Sequence, residues 1–217
     1  MSTTLEAWLA TSRKQGWAVG RGSIDAIRRE ATRLGLTEVP IRHGGPRVTT
    51  LRPLDRDEAP ANSLSARYGK GEQPLHTDGA HLRIPPDIVV LTCTGTSRTP
   101  TRLWRMTHGV YSPMAPNHVV HGVFLVSGGR ESFFSTAYSD HRFRYDPGCM
   151  VPCDARARET VRYFEAALES AVDHTWNEPN TVLVIDNRKV LHARASAIND
   201  SDREIQRIKF YLSQGDQ

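Results

Sequence analysis

Cysteine is scarce in this chain, lysine is scarcer relative to arginine, and long apolar runs are missing. Three cysteines, Cys93, Cys149 and Cys153, stand among 217 residues. They cannot all pair and no C-x-x-C occurs, so the spacing offers neither a disulfide scaffold nor a thiol redox motif. Unpaired thiols in a reduced, cytoplasmic compartment are expected. A chain of this length buries enough surface in one core to need no covalent staple. No window approaches 18 uninterrupted apolar residues, which argues against a membrane-spanning helix. The opening segment, MSTTLEAWLATSRKQGWAVG, has no basic region followed by an apolar run and does not read as a secretory signal. No repeat, low-complexity tract or linker divides the sequence, so residues 1–217 are expected to form one domain.

Only four lysines accompany 24 arginines. The net charge is +4 and the pI about 9.1. The basic residues are scattered, with no run of five or six and no aromatic platform, so no nucleic-acid partner is expected. The arginine excess has two readings. One is a GC-rich genome. The other is a need for planar, permanently charged forks that grip carboxylates.

What is present is a series of short apolar segments punctuated by Pro and Gly. Residues 4–14 are expected to be helical, with Leu5, Trp8 and Leu9 on one face. Residues 17–19 suit a first strand. Ser23 suits the N-cap of a second helix carrying Ile24, Ile27 and Leu34, which Gly35 would stop. Strands are expected at 88–94, 102–106, 118–127, 133–138, 142–145, 181–185, 190–195 and 205–212. One strong helix interrupts them: Asp154 caps residues 155–172, where Val161, Phe164, Leu168 and Val172 recur at helical spacing. The fold class is mainly β with flanking helices, a sandwich or jelly roll.

Chemistry concentrates in His76-Thr77-Asp78. On an extended segment residues i and i+2 share a face, so an imidazole and a carboxylate aim at one point. Such a pair suits a borderline divalent metal, although an H-x-D arises by chance in about half of chains with this composition. His192, after the apolar run TVLVI, could be a third ligand or an ordinary core-edge histidine. Two histidines and a carboxylate make the facial triad of non-haem Fe(II), with three positions left open for a chelating cosubstrate and O2. Arg203 and Arg207 share strand parity in REIQRIKFYL. An arginine on an apolar strand needs a partner, which is either a structural Asp or Glu or a bound carboxylate gripped bidentately. Thr101 could add a hydroxyl to that carboxylate or be a plain strand threonine.

These segments carry a resemblance. LHTDGAHLRIPPDIVVLTC, TPTRLW, VLVIDNRKVLHARA and REIQRIKFYL are similar in order and spacing to Fe(II)/2-oxoglutarate-dependent oxygenases, within them the taurine dioxygenase and clavaminate synthase-like group. The resemblance covers most of residues 60–215. It implies a double-stranded β-helix (jelly-roll) core, with His76, Asp78 and His192 as iron ligands. Arg207, with Thr101, would hold the distal carboxylate of 2-oxoglutarate. Arg203 would lie near the cosubstrate or meet an acidic substrate. It implies oxidative decarboxylation of 2-oxoglutarate to succinate and CO2, with O2 as the second cosubstrate, coupled to C–H oxidation of a small polar or amino-acid-like molecule. The intact Asp78 favours hydroxylation, or a related desaturation, epoxidation or cyclisation, over halogenation.

Competing readings are a non-oxidative jelly-roll metalloenzyme (an isomerase or lyase), which gives Arg207 no partner, and a catalytically silent small-molecule-binding module. His118 and His121, on an expected strand, face oppositely and are rejected as a metal pair. His81 is expected at a pocket rim or the surface. Arg142, Arg144 and Tyr145 are candidate substrate contacts or parts of a solvated loop.

Overall fold

The computed structural model describes residues 5–40, 44–61, 63–106, 115–128 and 131–212. The expected helical position at Thr4 lies outside them. The first half contains α1 (Leu5–Gln15), β1 (Trp17–Arg21), α2 (Ile24–Arg33), β2 (Thr37–Glu38), β3 (Val48–Leu51), α3 (Leu64–Tyr68), β4 (Ile88–Cys93) and β5 (Ser97–Arg105). The second half continues with α4 (Asn117–His121), β6 (Phe124–Val126), β7 (Phe133–Ser135), β8 (Tyr138–Ser139), β9 (Arg142–Phe143) and β10 (Met150–Pro152). It closes with α5 (Ala155–Ala167), β11 (Val172–Trp176), β12 (Thr181–Asp186), β13 (Val190–Arg194) and β14 (Ile205–Tyr211).

The strands pair antiparallel. The major sheet runs β1-β12-β4-β14-β2, with β3 also on β14, and a smaller sheet runs β11-β5-β13. Alternation of side chains sorts each strand of the major sheet into two faces. Val89, Leu91 and Cys93 of β4 and Leu183 and Ile185 of β12 join Ile205, Leu103, Val190 and Trp176 in an inner core between the two sheets. Ile88, Val90, Val182, Val184, Ile208 and Phe210 point the other way, onto Leu5, Leu9, Ile24, Ile27 and Ala31 of α1 and α2. This two-sided burial explains why IVVLTC and TVLVI read as unbroken apolar runs. The fold is the jelly roll with outer helices.

The same parity assigns the polar residues. On β13, Leu191 and Ala193 face a third core with Trp104, Phe124, Tyr145 and Phe164. Val190 lies in the inner core, so His192 and Arg194 share its inward face. On β14, Arg207 shares the parity of inward Ile205, and so does Lys209.

Several expectations change. The segment 133–138 is not one strand but β7 and β8, which belong to different sheets, and β11 forms where no strand was expected. Residues 118–127 are not one strand: α4 occupies Asn117–His121 and only Phe124–Val126 is extended. The β-branched pair Val119-Val120 suits a strand, but Val119 is buried and the His118 carbonyl accepts a hydrogen bond from Thr160 Oγ1 of α5 at 2.7 Å. Packing against α5 overrides local preference. The long helix ends at Ala167, short of 172, and passes through a 3-10 turn at Leu168–Ser170. Val172 opens β11 and is 54% exposed. The caps at Ser23 and Asp154 form as expected, each side chain accepting from the backbone N–H three residues on.

Candidate metal centre

His76 and His192 are tied together by backbone. Each donates its N–H to the other's carbonyl, at 2.9 and 3.0 Å, in an isolated antiparallel bridge, and the ring centroids lie 4.4 Å apart. Thr77 turns to the opposite side, where its Oγ1 accepts the Tyr145 N–H and its N–H donates to the Tyr145 carbonyl. Asp78 therefore returns to the side of His76. Asn187, fully buried, clamps it there: Oδ1 accepts the Asp78 N–H at 3.0 Å, while Nδ2 donates to the carbonyls of Asp78 and Pro86. Gly79 follows with φ +73, and a Cβ there would lie 2.7 Å from Pro86 Cδ, so the turn that leaves Asp78 requires glycine.

One ligand-capable atom from each of His76, Asp78 and His192 lies within 4.8 Å of the others, and all three residues are buried. The free atoms fit a cation. His76 Nδ1 faces the Pro74 carbonyl at 3.1 Å, which leaves Nε2 unengaged. Asp78 Oδ1 accepts from Arg207 Nη1 at 2.6 Å, whereas Oδ2 is buried with no hydrogen-bond donor and lies 3.6 Å from His192 Nε2. An orphaned, buried carboxylate oxygen beside two imidazoles is what a metal would satisfy. The electrostatics agree. Burial, then the charge of His192, pushes the His76 pKa down to about 3, so its imidazole is neutral with a lone pair to give. Burial alone would raise the pKa of Asp78, but Arg207 and His192 outweigh it and hold the carboxyl well below the usual range.

Around this centre the arginines divide. Arg207 is engaged with Asp78. Arg203 is 4% exposed with its Nε unpartnered, and no carboxylate pairs with it among the described residues. Burial, then the neighbouring Arg194, pushes its pKa down to about 10. Thr101 is the register partner of Arg194, one inward-facing step from the Leu103–His192 pair, and its Oγ1 accepts the Trp176 Nε1–H at 3.2 Å. His81 is half-buried, and its pKa is lowered by burial and then by Lys209, with Asp78, Arg144 and Arg207 also acting on it; it borders the same space.

The other candidates hold the scaffold. Arg142 bonds Asp87 and the Pro85 carbonyl, and Arg144 donates to the carbonyls of Ala80, Leu82 and Arg83. Tyr145 is 2% exposed in the third core. None of the three is a solvated loop residue. His118 and His121 lie on a helix, not on the strand used to reject them. They still hold no metal cluster among the described residues, because His118 Nδ1 faces Glu159 Oε1 at 3.4 Å and its ring packs on Tyr163, while His121 is exposed. The three cysteines are free. The sequence alone did not single out Asn187, or Lys209, whose signal was its parity with Arg207.

A jelly roll with a buried His-Asp-His cluster between its sheets defines a mononuclear metalloenzyme of the facial-triad class. The chain belongs to the taurine catabolism dioxygenase TauD, TfdA family, whose model matches residues 101–209, and it is a dioxygenase. That stretch contains Thr101, His192, Arg203 and Arg207, while His76 and Asp78 precede it. No curated protein matches. Among solved structures, an asparagine oxygenase in complex with Fe(II), 2S,3S-3-hydroxyasparagine and succinate is similar at TM-score 0.71 and 18% identity, covering 96% of this chain and 79% of that one. The non-heme iron oxygenase OrfP with Fe and alpha-ketoglutaric acid follows at TM-score 0.69 and 14% identity, covering 96% and 78%. PvcB from Pseudomonas aeruginosa gives TM-score 0.63 and 15% identity, covering 96% and 80%.

Proposed function

We propose that residues 1–217 form a single-domain Fe(II)/2-oxoglutarate-dependent dioxygenase that hydroxylates a small, amino-acid-like molecule in the cytoplasm, with no nucleic-acid partner. The observation that carries this is the orphaned Asp78 Oδ2 facing the imidazoles of His76 and His192, with a buried, unpaired arginine nearby. His76 through Nε2, Asp78 through Oδ2 and His192 through Nε2 would hold the iron. When bound, the iron lets O2 decarboxylate 2-oxoglutarate to succinate and CO2, one oxygen atom entering the succinate and the other a substrate C–H bond. The protein's part is placement and charge. Arg207 fixes the Asp78 carboxylate and keeps it ionised. Asn187 fixes its backbone. The two apolar cores around the cluster keep water from its flanks.

The cosubstrate carboxylate was expected on Arg207 with Thr101. Arg207 already serves Asp78, whereas Arg203 is a buried cation in need of an anion. Two residues along β13 span about 7 Å, from His192 to the Arg194–Thr101 pair beside Arg203. A five-carbon diacid chelating the metal at one end reaches that far. Arg203 with Thr101 is therefore the better seat for the distal carboxylate, and Arg207 the positioning residue for Asp78. The amino-acid character of the substrate is supported by the hydroxyasparagine and hydroxyarginine bound in structurally similar oxygenases. A non-oxidative metalloenzyme would leave Arg203 without a partner.

Purified protein given Fe(II), 2-oxoglutarate and O2 should release succinate, and no succinate under any condition rejects the proposal. Arg203→Ala should weaken 2-oxoglutarate binding roughly 10–150-fold, the worth of a charge-assisted hydrogen bond. Arg207→Ala should instead weaken metal retention. The opposite pattern would return the distal carboxylate to Arg207.

A further inference from the structure

Lys209 is the residue that the oxygenase reading leaves unexplained. The chain uses arginine six times as often as lysine, and the other lysines have ordinary surroundings. Lys14 is exposed, Lys70 pairs with Asp55 at 2.6 Å, and Lys189 Nζ donates to the Arg13 carbonyl at 2.8 Å. Lys209 is 5% exposed and, among the described residues, makes neither a side-chain hydrogen bond nor an ion pair. Its ammonium is not sealed from solvent as the unpartnered Asp78 Oδ2 and Arg207 Nε are, so the charged end opens to space on the inner face, where a purely packing position would take an apolar residue without penalty. Its location is fixed by the sheet. β14 pairs with β4 and β3 on either side, Lys209 opposite Val89, and its inward row runs Ile205, Arg207, Lys209. Arg207 reaches Asp78 from this row, and Lys209 is near enough for Asp78 and Arg207 to act on its charge and for its own charge to act on His81.

Charge balance says what is missing. A divalent metal and the two carboxylates of 2-oxoglutarate cancel. On the strand row itself Asp78 offsets Arg207, and the charge of Lys209 stays uncompensated beside the metal. His81, whose pKa is lowered, adds none at neutral pH.

We propose that Lys209 is a specificity-determining residue that binds a carboxylate of the organic substrate next to the metal, on the strand face it shares with Arg207. This rests on the oxygenase reading and adds to it that the substrate is a free acid, its carboxylate held by an ammonium point charge. An ammonium can donate to a carboxylate at several angles, whereas a guanidinium fork imposes one plane. On this row Arg207 is committed to Asp78, and Lys209 is the adaptable contact left for the substrate.

The test uses the full chain loaded with Mn(II) in place of iron, so that binding is read without turnover. Calorimetric titration first with 2-oxoglutarate, and then with the standard L-amino acids and their α-carboxamides, should find at least one acid that binds about tenfold or more tightly than its amide. In Lys209→Met, a near-isosteric change that removes the charge, acid and amide should bind alike. Lys209→Arg should restore part of the preference, and 2-oxoglutarate affinity should stay within about twofold in both variants. Should Lys209→Met fail to fold, Lys209→Gln takes its place. A wild-type protein that binds no acid, or binds acid and amide alike, overturns the proposal. So does a variant that keeps the preference, or one that loses 2-oxoglutarate instead, since the carboxylate would then be the cosubstrate's. Failure of the wild type to bind 2-oxoglutarate at all overturns the oxygenase reading, and this inference with it.

Discussion

Asp146 lies next to Tyr145, whose backbone bonds Thr77, and burial pushes its carboxyl up to about 6, helped by the nearby charge of Asp78 and opposed by the Gly148 N–H. A raised carboxyl pKa means the folded state holds a proton that the unfolded chain releases near pH 4. Between about pH 4 and 6 the folded state binds more protons, so stability falls as pH rises through that window. Asp146→Asn keeps an oxygen for Gly148 N, whose bond is 2.7 Å, and removes the titration. The variant should be more stable than the parent at pH 7.5 by roughly 1–3 kcal/mol and no more stable at pH 4, as read by urea denaturation at both values. Equal gains at both pH values would show that Asp146 titrates normally. At this scale parity placed His76 and Asp78 on one side of an extended segment, but it left His192 open between a ligand and a core-edge histidine, and only the family resemblance joined the three; the fold brings their ligand atoms within 4.8 Å. The sequence could not display Arg203 as an unpaired cation, since that depends on which carboxylates the fold leaves out of reach.

At the scale of elements, the turn between β12 and β13 does more than reverse the chain. Asn187 in that turn bonds the Asp78 amide and two carbonyls, coupling the TVLVI strand to the metal segment. Asn187→Ala should leave the strands intact and lower metal affinity about 10–100-fold, the usual cost of losing a residue that orients a ligand, measured by competition with a chelator. Unchanged affinity with lowered stability would limit Asn187 to a structural role. Strands β4, β12 and β14 were legible because both faces are buried and their apolar runs are bounded by turns. The His118–Ser127 segment was misread because its valines favour extension, whereas Gly122 lets the chain approach α5: a Cβ there would lie 2.6 Å from the Ala157 N. The long helix was overextended because Leu168 and Val172 continue its spacing, and no local signal announces that β11 must begin in time to pair with β5.

For the whole molecule, the cluster bridges the two sheets. His192 belongs to the smaller sheet, Arg207 to the larger, and Asp78 to the segment between α3 and β4. Ligands that bind only this assembled state should stabilise all of it. Mn(II) with 2-oxoglutarate at about 100 times its dissociation constant should add about 2.7 kcal/mol, visible as a rise in Tm that a chelator reverses. A Tm indifferent to both would place their binding elsewhere. Among the described residues no helix is long and apolar enough to cross a membrane.

β14 presents Ile208 and Phe210 to the helices on one face and Arg207 and Lys209 to the reaction chamber on the other. Packing and recognition therefore occupy alternate letters of the same seven-residue word. On the proposed roles, a change at 207 loosens the hold on Asp78 and a change at 209 alters recognition, while Ile208 and Phe210 keep the sheet bound to its helices. Position 209 is thus a place where recognition can be altered without touching the residues that hold the sheet to its helices.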